Sequence, residues 1–403
     1  MPVAEDGAHA QTAGQAFDNG AVSGSVTRND GHAVLLVDLI ELAVEADLAV
    51  VEQDDAAAEA FDAGHVVRGE KDRRALAIEE LDGGLEQCGR IYLGAEPLIM
   101  RRNLLLVGAL GVTLLQGQTL TSGQKQKVDD AIPGKAPAKP RRPRRMLVSN
   151  LMMRDGHPWH GSSYDTIPAA NYAIAQMGKR TGAYEAVFSD DVEMFRPDRI
   201  EQFDAICFLN TVGVLFEDPE LRKSLLAYIA GGKGFVGIHD AIATFVQYPK
   251  YDQWPAFGQM LGATENGGHP WDGESMTVKV EDPKSPLNAV FHGDEFQIAD
   301  QAFQFQEPTL RDHLHVLLAI DVEKTGFSPN RRILPVRMAD KDFPVTWIRA
   351  YGKGRVFYSS LGHGAPVFWN APLLEHFLAG IQYALGDLEA DSTPSAKLPA
   401  AKK

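Results

Sequence analysis

Apolar positions in the second half of the chain recur with two different periods, and the alternation between them predicts the fold. Short runs of buried type occur at Met146 to Asn150, Ala183 to Phe188, Ala205 to Leu209 (AICFL) and Gly234 to Ile238, each the length of a strand. Between them lie helical stripes. Ile167, Ala170, Ile174 and Met177 fall on one face after the first run, and Leu221, Leu225, Tyr228 and Ile229 on another before the fourth. Asp218 is placed to cap that second helix, Pro219 suits its first turn, and Gly231 supplies a left-handed C-terminal residue. Strand, helix and strand in succession make βαβ units, and two of them in series predict a doubly wound, flavodoxin-like α/β sheet starting near residue 146. Further on, segments at Met276 to Val280, Ala302 to Phe305, Leu314 to Ile320, Val345 to Ala350 and Arg355 to Ser359 predict additional mixed or antiparallel strands. A last helix is capped by Asn370, carries Leu374, Phe377, Leu378, Ile381 and Leu385 on one face, and stops at Gly386.

Charge divides the chain. Residues 1–99 hold 20 Asp and Glu against 6 Lys and Arg, a net of −14, whereas the remainder is nearly balanced at −1. The acidic, Ala-rich leader predicts disorder or weak helix, with VLLVDLIELAV (Val34 to Val44) as its most helical stretch. After it, Met100-Arg101-Arg102-Asn103 precedes an apolar run from Leu104 to Leu115 and then Gln116-Gly117-Gln118. A basic start, about 7–15 apolar residues and a polar end have the shape of a secretory signal peptide. The run falls short of the roughly 20 residues of a permanent span. The expectation is that translation starts at Met100, that 100–118 directs export to the periplasm, and that 1–99 is an upstream extension; without that start the protein stays cytoplasmic. Residues 119–145, with Pro133, Pro137, Pro140 and Pro143 among basic residues, read as a linker, and 389–403 as a disordered tail. The basic run lacks interleaved aromatics, so a tether fits it better than a nucleic-acid contact.

Composition also removes some chemistries. Only Cys88 and Cys207 occur, which leaves no disulfide framework and no thiolate metal site. Neither a GxxxxGK[ST] loop nor a GxGxxG turn follows a predicted strand, so nucleotide binding lacks a cradle.

Nine of the twelve histidines lie in the folded part, and four stand where chemistry gathers. His239 directly follows the strand in GGKGFVGIHDA (Gly231 to Ala241), at the carboxyl edge where ligands of such sheets bind. His160 lies in DGHPWHGSS, His269 in NGGHPWDG, and His363 closes GRVFYSSLGHG. His157, His292, His313, His315 and His376 read as surface or structural. Glycine beside tryptophan and histidine suits a small neutral polyol, with Trp159 and Trp271 as stacking walls. Asp240 and Asp300 are candidates for orienting an imidazole or binding sugar hydroxyls. Arg349 is a candidate substrate contact, although the glycines of YGKG beside it also fit a simple turn. His239 and His363, with Asp300, are the expected catalytic groups. His160, His239, His269 and His363 together form a candidate nitrogen set for zinc, although no HExxH signature supports it.

The succession HPWHGSS, FDAICFLNTVG, LLAYIAGGKGFVGIHDA, LGATENGGHPWDG, PVTWIRAYGKGRVFYSSLGH and WNAPLLEHFLAGIQYAL resembles the ThuA-like family, named for trehalose utilisation, over residues 146–388. The resemblance implies a class I glutamine amidotransferase-like fold and a role in the use of disaccharides or their keto derivatives, as an isomerase or lyase. The matching polar positions are His160, His239, His269, Asp300 and His363. Two departures matter. Asp300-Gln301-Ala302-Phe303 lacks the second carboxylate that many relatives carry. The elbow that presents a cysteine in true amidotransferases presents His239, so glutamine hydrolysis is not expected. The competing reading is a noncatalytic carbohydrate-binding protein on the same scaffold.

Overall fold

A computed structural model describes residues 120–247 and 251–399, together with the backbone of five strands between residues 48 and 101. The chain separates into two units, Met1–Gly117 and Gln118–Lys403. In the first, Leu48–Val51, His65–Gly69, Ala75–Glu80, Cys88–Leu93 and Glu96–Arg101 pair antiparallel in sequence order. These strands replace the disorder or weak helix expected there; their Val, Ile and Tyr residues favour extended backbone. Val34 to Val44 and residues 102–119 lie outside the described residues.

The second unit carries a nine-stranded sheet. Its strands are β1 (Arg145–Ser149), β2 (Glu185–Phe188), β3 (Ala205–Leu209), β4 (Gly234–Ile238), β5 (Trp271–Val280), β6 (Phe296–Ala302), β7 (His315–Ile320), β8 (Pro344–Tyr351) and β9 (Gly354–Ser359). The spatial order is β6-β5-β7-β8-β9-β4-β3-β1-β2. From β9 to β2 all pairings are parallel, and from β6 to β9 all are antiparallel. The parallel half has the flavodoxin order with β9 as its fifth strand. The expected strand over Ala302 to Phe305 instead runs earlier, ending at Ala302. Phe303 to Phe305 are buried without sheet pairing, so burial alone produced the apolar signal.

Helices cover both faces, which is why β3 and β4 are buried throughout. Cys207, Val236 and Phe357 point to one core with α2 (Ile167–Thr181) and α5 (Ala371–Ala384). Their neighbours Ile206, Phe208, Phe235 and Tyr358 point to the other, with α3 (Pro219–Ala230) and α4 (Pro255–Leu261). The two-residue alternation of each strand assigns its side chains to these layers. Asp218 caps α3 by accepting from the Glu220 N–H, and Asn370 caps α5 by accepting from the Leu373 N–H. The left-handed residue after α3 is Gly232, with φ +124°, because Gly231 still completes the helix at φ −69°.

The structure departs most from the sequence reading at the two ends of this unit. The supposed linker opens with α1 (Ser122–Ala131), held by a capping box between Thr121 and Gln124, and buries Val128 and Ile132. Its basic residues find carboxylates. Arg144 donates from Nε and Nη2 to the two oxygens of Asp387 at 2.9 and 2.6 Å, Arg142 pairs with Asp204, and Arg141 with Glu389. The Gln382 amide donates to the Ala138 carbonyl at 2.6 Å and accepts from its N–H at 2.8 Å. The supposed tail is docked too, since Ser395 donates its N–H to the Leu314 carbonyl and its Oγ accepts from the Val316 N–H. Composition gave the wrong answer because these segments are held by polar pairing together with a few apolar residues, such as Val128 and Ile132, packed into the core.

The Arg144 side chain is 8% exposed and that of Asp387 0%, so removing the cation strands a buried carboxylate. Arg144→Ala is expected to lower the unfolding free energy in urea by about 3 kcal/mol. Arg144→Lys is expected to recover only part of this, because an ammonium cannot reproduce the two-toothed contact.

Candidate functional site

The site forms where β4 and β9 end. β4 is apolar through Ile238, and at His239 the backbone turns abruptly into a 3-10 helix (His239–Ala243) with φ +49°, the left-handed region. Neighbouring groups hold this conformation. Tyr358 on β9 donates its hydroxyl to the His239 carbonyl at 2.9 Å. The His239 Nδ1 lies 2.6 Å from the Ser360 carbonyl, which can only accept, so Nδ1 carries the proton. In the neutral ring Nε2 is therefore bare, and it lies 3.3 Å from Asp240 Oδ1 without hydrogen-bond geometry. The other Asp240 oxygen accepts from the buried Ser163 hydroxyl.

His363 arrives on the loop after β9. Its ring centroid is 5.2 Å from that of His239, and Phe303 lies 5.1 Å from His239 and 4.4 Å from His269. Gly362 makes the approach possible: at φ +134°, a Cβ there would sit 2.9 Å from Ile238 Cγ2 and 3.2 Å from His239 Cβ. Asp300 at the end of β6 holds the same loop by accepting from the N–H groups of Gly362 at 2.7 Å and Gly364 at 2.8 Å. Thr166, just before α2, donates to the His363 carbonyl at 2.5 Å.

His239, His269 and His363 share a further property: the Nε2 of each is buried and has no hydrogen-bond partner. Orphaned buried polar atoms are uncommon and ask for a ligand or water. Burial, reinforced by His239, lowers His269 to about 4 and also pulls His363 down, against the opposing charge of Asp240. His269 is thus neutral at pH 7. Burial pushes the Asp300 carboxyl up, opposed by His239 and the N–H groups it accepts from.

A cavity of about 170 Å³ opens beside this cluster, and its walls include Trp159, Asp240, Glu265, His269 and Phe303. The sequence reading therefore needs sorting. Asp240, His269 and Trp159 line the cavity. His239, fully buried, stands directly behind Asp240, and His363 packs edge-on against it. Asp300 is an anchor for the His363 loop, with both oxygens engaged by backbone.

Three candidates fall elsewhere. His160 is exposed and stacks on Tyr164 at 3.7 Å. Trp271 is in the core against Phe343, with its indole N–H given to the Gly326 carbonyl at 3.1 Å. Arg349 donates to the Gln259 carbonyl in α4 at 2.6 Å and does not line the cavity. In each case residue type pointed to binding, but packing supplied a partner within the protein.

The proposed zinc set consequently does not assemble. His160 is turned away, and among the described residues no three His, Cys, Asp or Glu side chains are placed to hold one ion. Cys207 is buried in β3, and burial raises its thiol far above the ordinary range, which fits packing rather than nucleophilic attack. His315 is buried between Asp282 and the Thr393 carbonyl, and His376 donates from Nδ1 to the Leu287 carbonyl at 2.8 Å within the core, so both are structural. Sequence reasoning missed Ser163, Glu265, Phe303 and Ser360. Serines and a phenylalanine carry no signal until the fold sets them against His239 and Asp240.

Because Asp300 satisfies two backbone donors with two oxygens, Asp300→Asn turns one acceptor into a donor facing an N–H. The variant is expected to lose about 1–3 kcal/mol of stability in urea unfolding at pH 7.

Comparison with known proteins gives the family. The sequence model of the ThuA family, described as trehalose utilisation, matches residues 158–384. No curated protein matches. Among solved structures, a ThuA-like protein from Bacteroides uniformis is similar at 18% identity and TM-score 0.47, over 64% of this chain and 98% of that one. Another, from Parabacteroides merdae, is similar at 16% identity and TM-score 0.44, over 62% of this chain and 93% of that one. The assignment rests on the family match, which spans more than half of the sequence: the chain belongs to the ThuA family.

Proposed function

We propose that the protein is an enzyme of carbohydrate utilisation that moves a proton next to the carbonyl of an oxidised sugar, as in isomerisation or elimination of a keto-disaccharide. The observation that carries this reading is the group of three imidazoles with buried, unpartnered Nε2 atoms beside a carboxylate on a cavity wall. Asp240 faces the cavity and His239 stands behind it at 3.3 Å with a bare Nε2, so a proton taken by the carboxylate has a base to share it. Neutral His269, on another part of the wall, would donate from Nε2 to the substrate carbonyl oxygen and stabilise the enolate as it forms. Trp159 lines the cavity in which the sugar would lie. The family name supports a disaccharide as the source of the substrate.

The test is incubation of the purified protein with keto-disaccharides and their parent sugars in D2O. Deuterium is expected at the carbon beside the carbonyl, with His269→Gln and Asp240→Asn each lowering turnover by on the order of 100-fold. Activity needs neutral His269, so it is lost as pH falls through its lowered value of about 4, and the acid limb should lie below that of a free imidazole. Sugars that bind without exchange or product would make the protein a carbohydrate-binding protein instead.

The same role favours export, through a signal sequence over residues 100–118 with translation from Met100. N-terminal sequencing of the protein from its native host is expected to find no peptide from residues 1–90.

A further inference from the structure

The cavity wall contains a cation that the proposed chemistry does not use. Arg154 and Trp159 lie on either side of a small hairpin, Met153–Arg154 paired with His157–Pro158, whose turn is made by Asp155 and Gly156 at positive φ. The Trp159 N–H closes the hairpin on the Met152 carbonyl at 2.9 Å. This arrangement places the Arg154 guanidinium over the indole, 4.0 Å from the ring centroid. The platform is fitted to its place. A Cβ on Gly161 would sit 2.9 Å from the indole and 3.1 Å from the Met152 sulfur, so only glycine lets the ring lie where it does.

The charges around the cavity are unequally satisfied. Asp155 accepts from the Gln247 amide at 3.0 Å, Asp240 from Ser163, and Glu265 from the Gly268 N–H at 3.1 Å. Arg154 has no carboxylate within ion-pair distance among the described residues. A guanidinium held over an aromatic ring can still present edge N–H groups, in the fork geometry that matches a carboxylate or phosphate.

From this we infer that the Arg154–Trp159 platform is a subsite for an oxyanion carried by the substrate, so that the enzyme takes an acidic sugar, with ring hydroxyls toward Asp240 and the negative group toward Arg154. The inference rests on the sugar-binding reading above and narrows it from a neutral polyol to a charged one. A sugar carboxylate and a sugar phosphate share the required chemistry.

Titration calorimetry of the full chain with glucose, glucuronate and glucose 6-phosphate separates the possibilities. Either or both anionic probes are expected to bind about tenfold more tightly than glucose, an advantage that added salt weakens. Which anion gains more identifies carboxylate or phosphate. Arg154→Gln should erase the difference between the anionic probes and glucose, and Arg154→Lys should retain a part. Equal affinities for all three probes in the wild type, or an anion preference that survives Arg154→Gln, overturns the acidic subsite and leaves the sugar reading intact. Binding of none of the three probes overturns the acidic subsite, and the sugar reading is then decided by the exchange experiment.

Discussion

The turn at His239 is the constraint on which the site depends. A non-glycine residue in the left-handed region costs of order 1–3 kcal/mol and persists only where its surroundings over-determine it. Here the apolar β4 strand delivers the residue, the Tyr358 hydroxyl fixes its carbonyl, the Ser360 carbonyl fixes its ring, and Gly362 leaves room for its Cβ. Three of these partners, Tyr358, Ser360 and Gly362, come from β9 and the loop beyond it, and β9 is adjacent to β4 in space though more than a hundred residues distant in sequence. The same turn then sets Asp240 on the cavity wall. The position, strand end to helical turn, is that of a nucleophile elbow, but it carries an imidazole, and the imidazole is held inside the protein behind a carboxylate.

The two halves of the sheet contribute differently. The parallel half presents the ends of its strands and so supplies His239, Asp240 and the loop bearing His363. The antiparallel half supplies support and wall: Asp300 and Phe303 from the end of β6, and His269 from the segment leading into β5. Because its strands end beside the carboxyl edge of the parallel ones, residues from both meet without any long loop reaching across. This junction also explains the low proton affinity of His269 and His363. Both are partly removed from water with His239 nearby, so each cation would form with less hydration and beside a potential like charge.

Elements of repeating pattern were legible from the sequence, and pairwise contacts were not. Strands β3 and β4 and helix α3, with the Asp218 and Asn370 caps, follow directly from period and capping chemistry. The βαβ succession yields the flavodoxin-like run of β1 to β4, whereas β9, grouped by its pattern with the later mixed or antiparallel strands, joins the parallel half beside β4. Convergence was expected of His160, His239, His269 and His363; the structure groups the last three around Phe303 and places His160 against Tyr164. Trp271 and Arg349 were misread, since a tryptophan or arginine in a glycine-rich context looks alike whether it meets a ligand or a backbone carbonyl. His160 was misread for a different reason. It shares a loop with Trp159, but the hairpin turns one side chain to the cavity and the other toward Tyr164.

The grip between residues 138–145 and 382–389 has a consequence for how this unit comes apart. Ala138 and Gln382 exchange two hydrogen bonds, and Arg144 binds Asp387, so positions separated by about 240 residues are fastened together without a covalent link. A clasp of this kind closes the polypeptide into a ring for as long as the native state lasts. Neither terminus can then peel away alone, and thermal fluctuations must undo both together before the interior strands are reached.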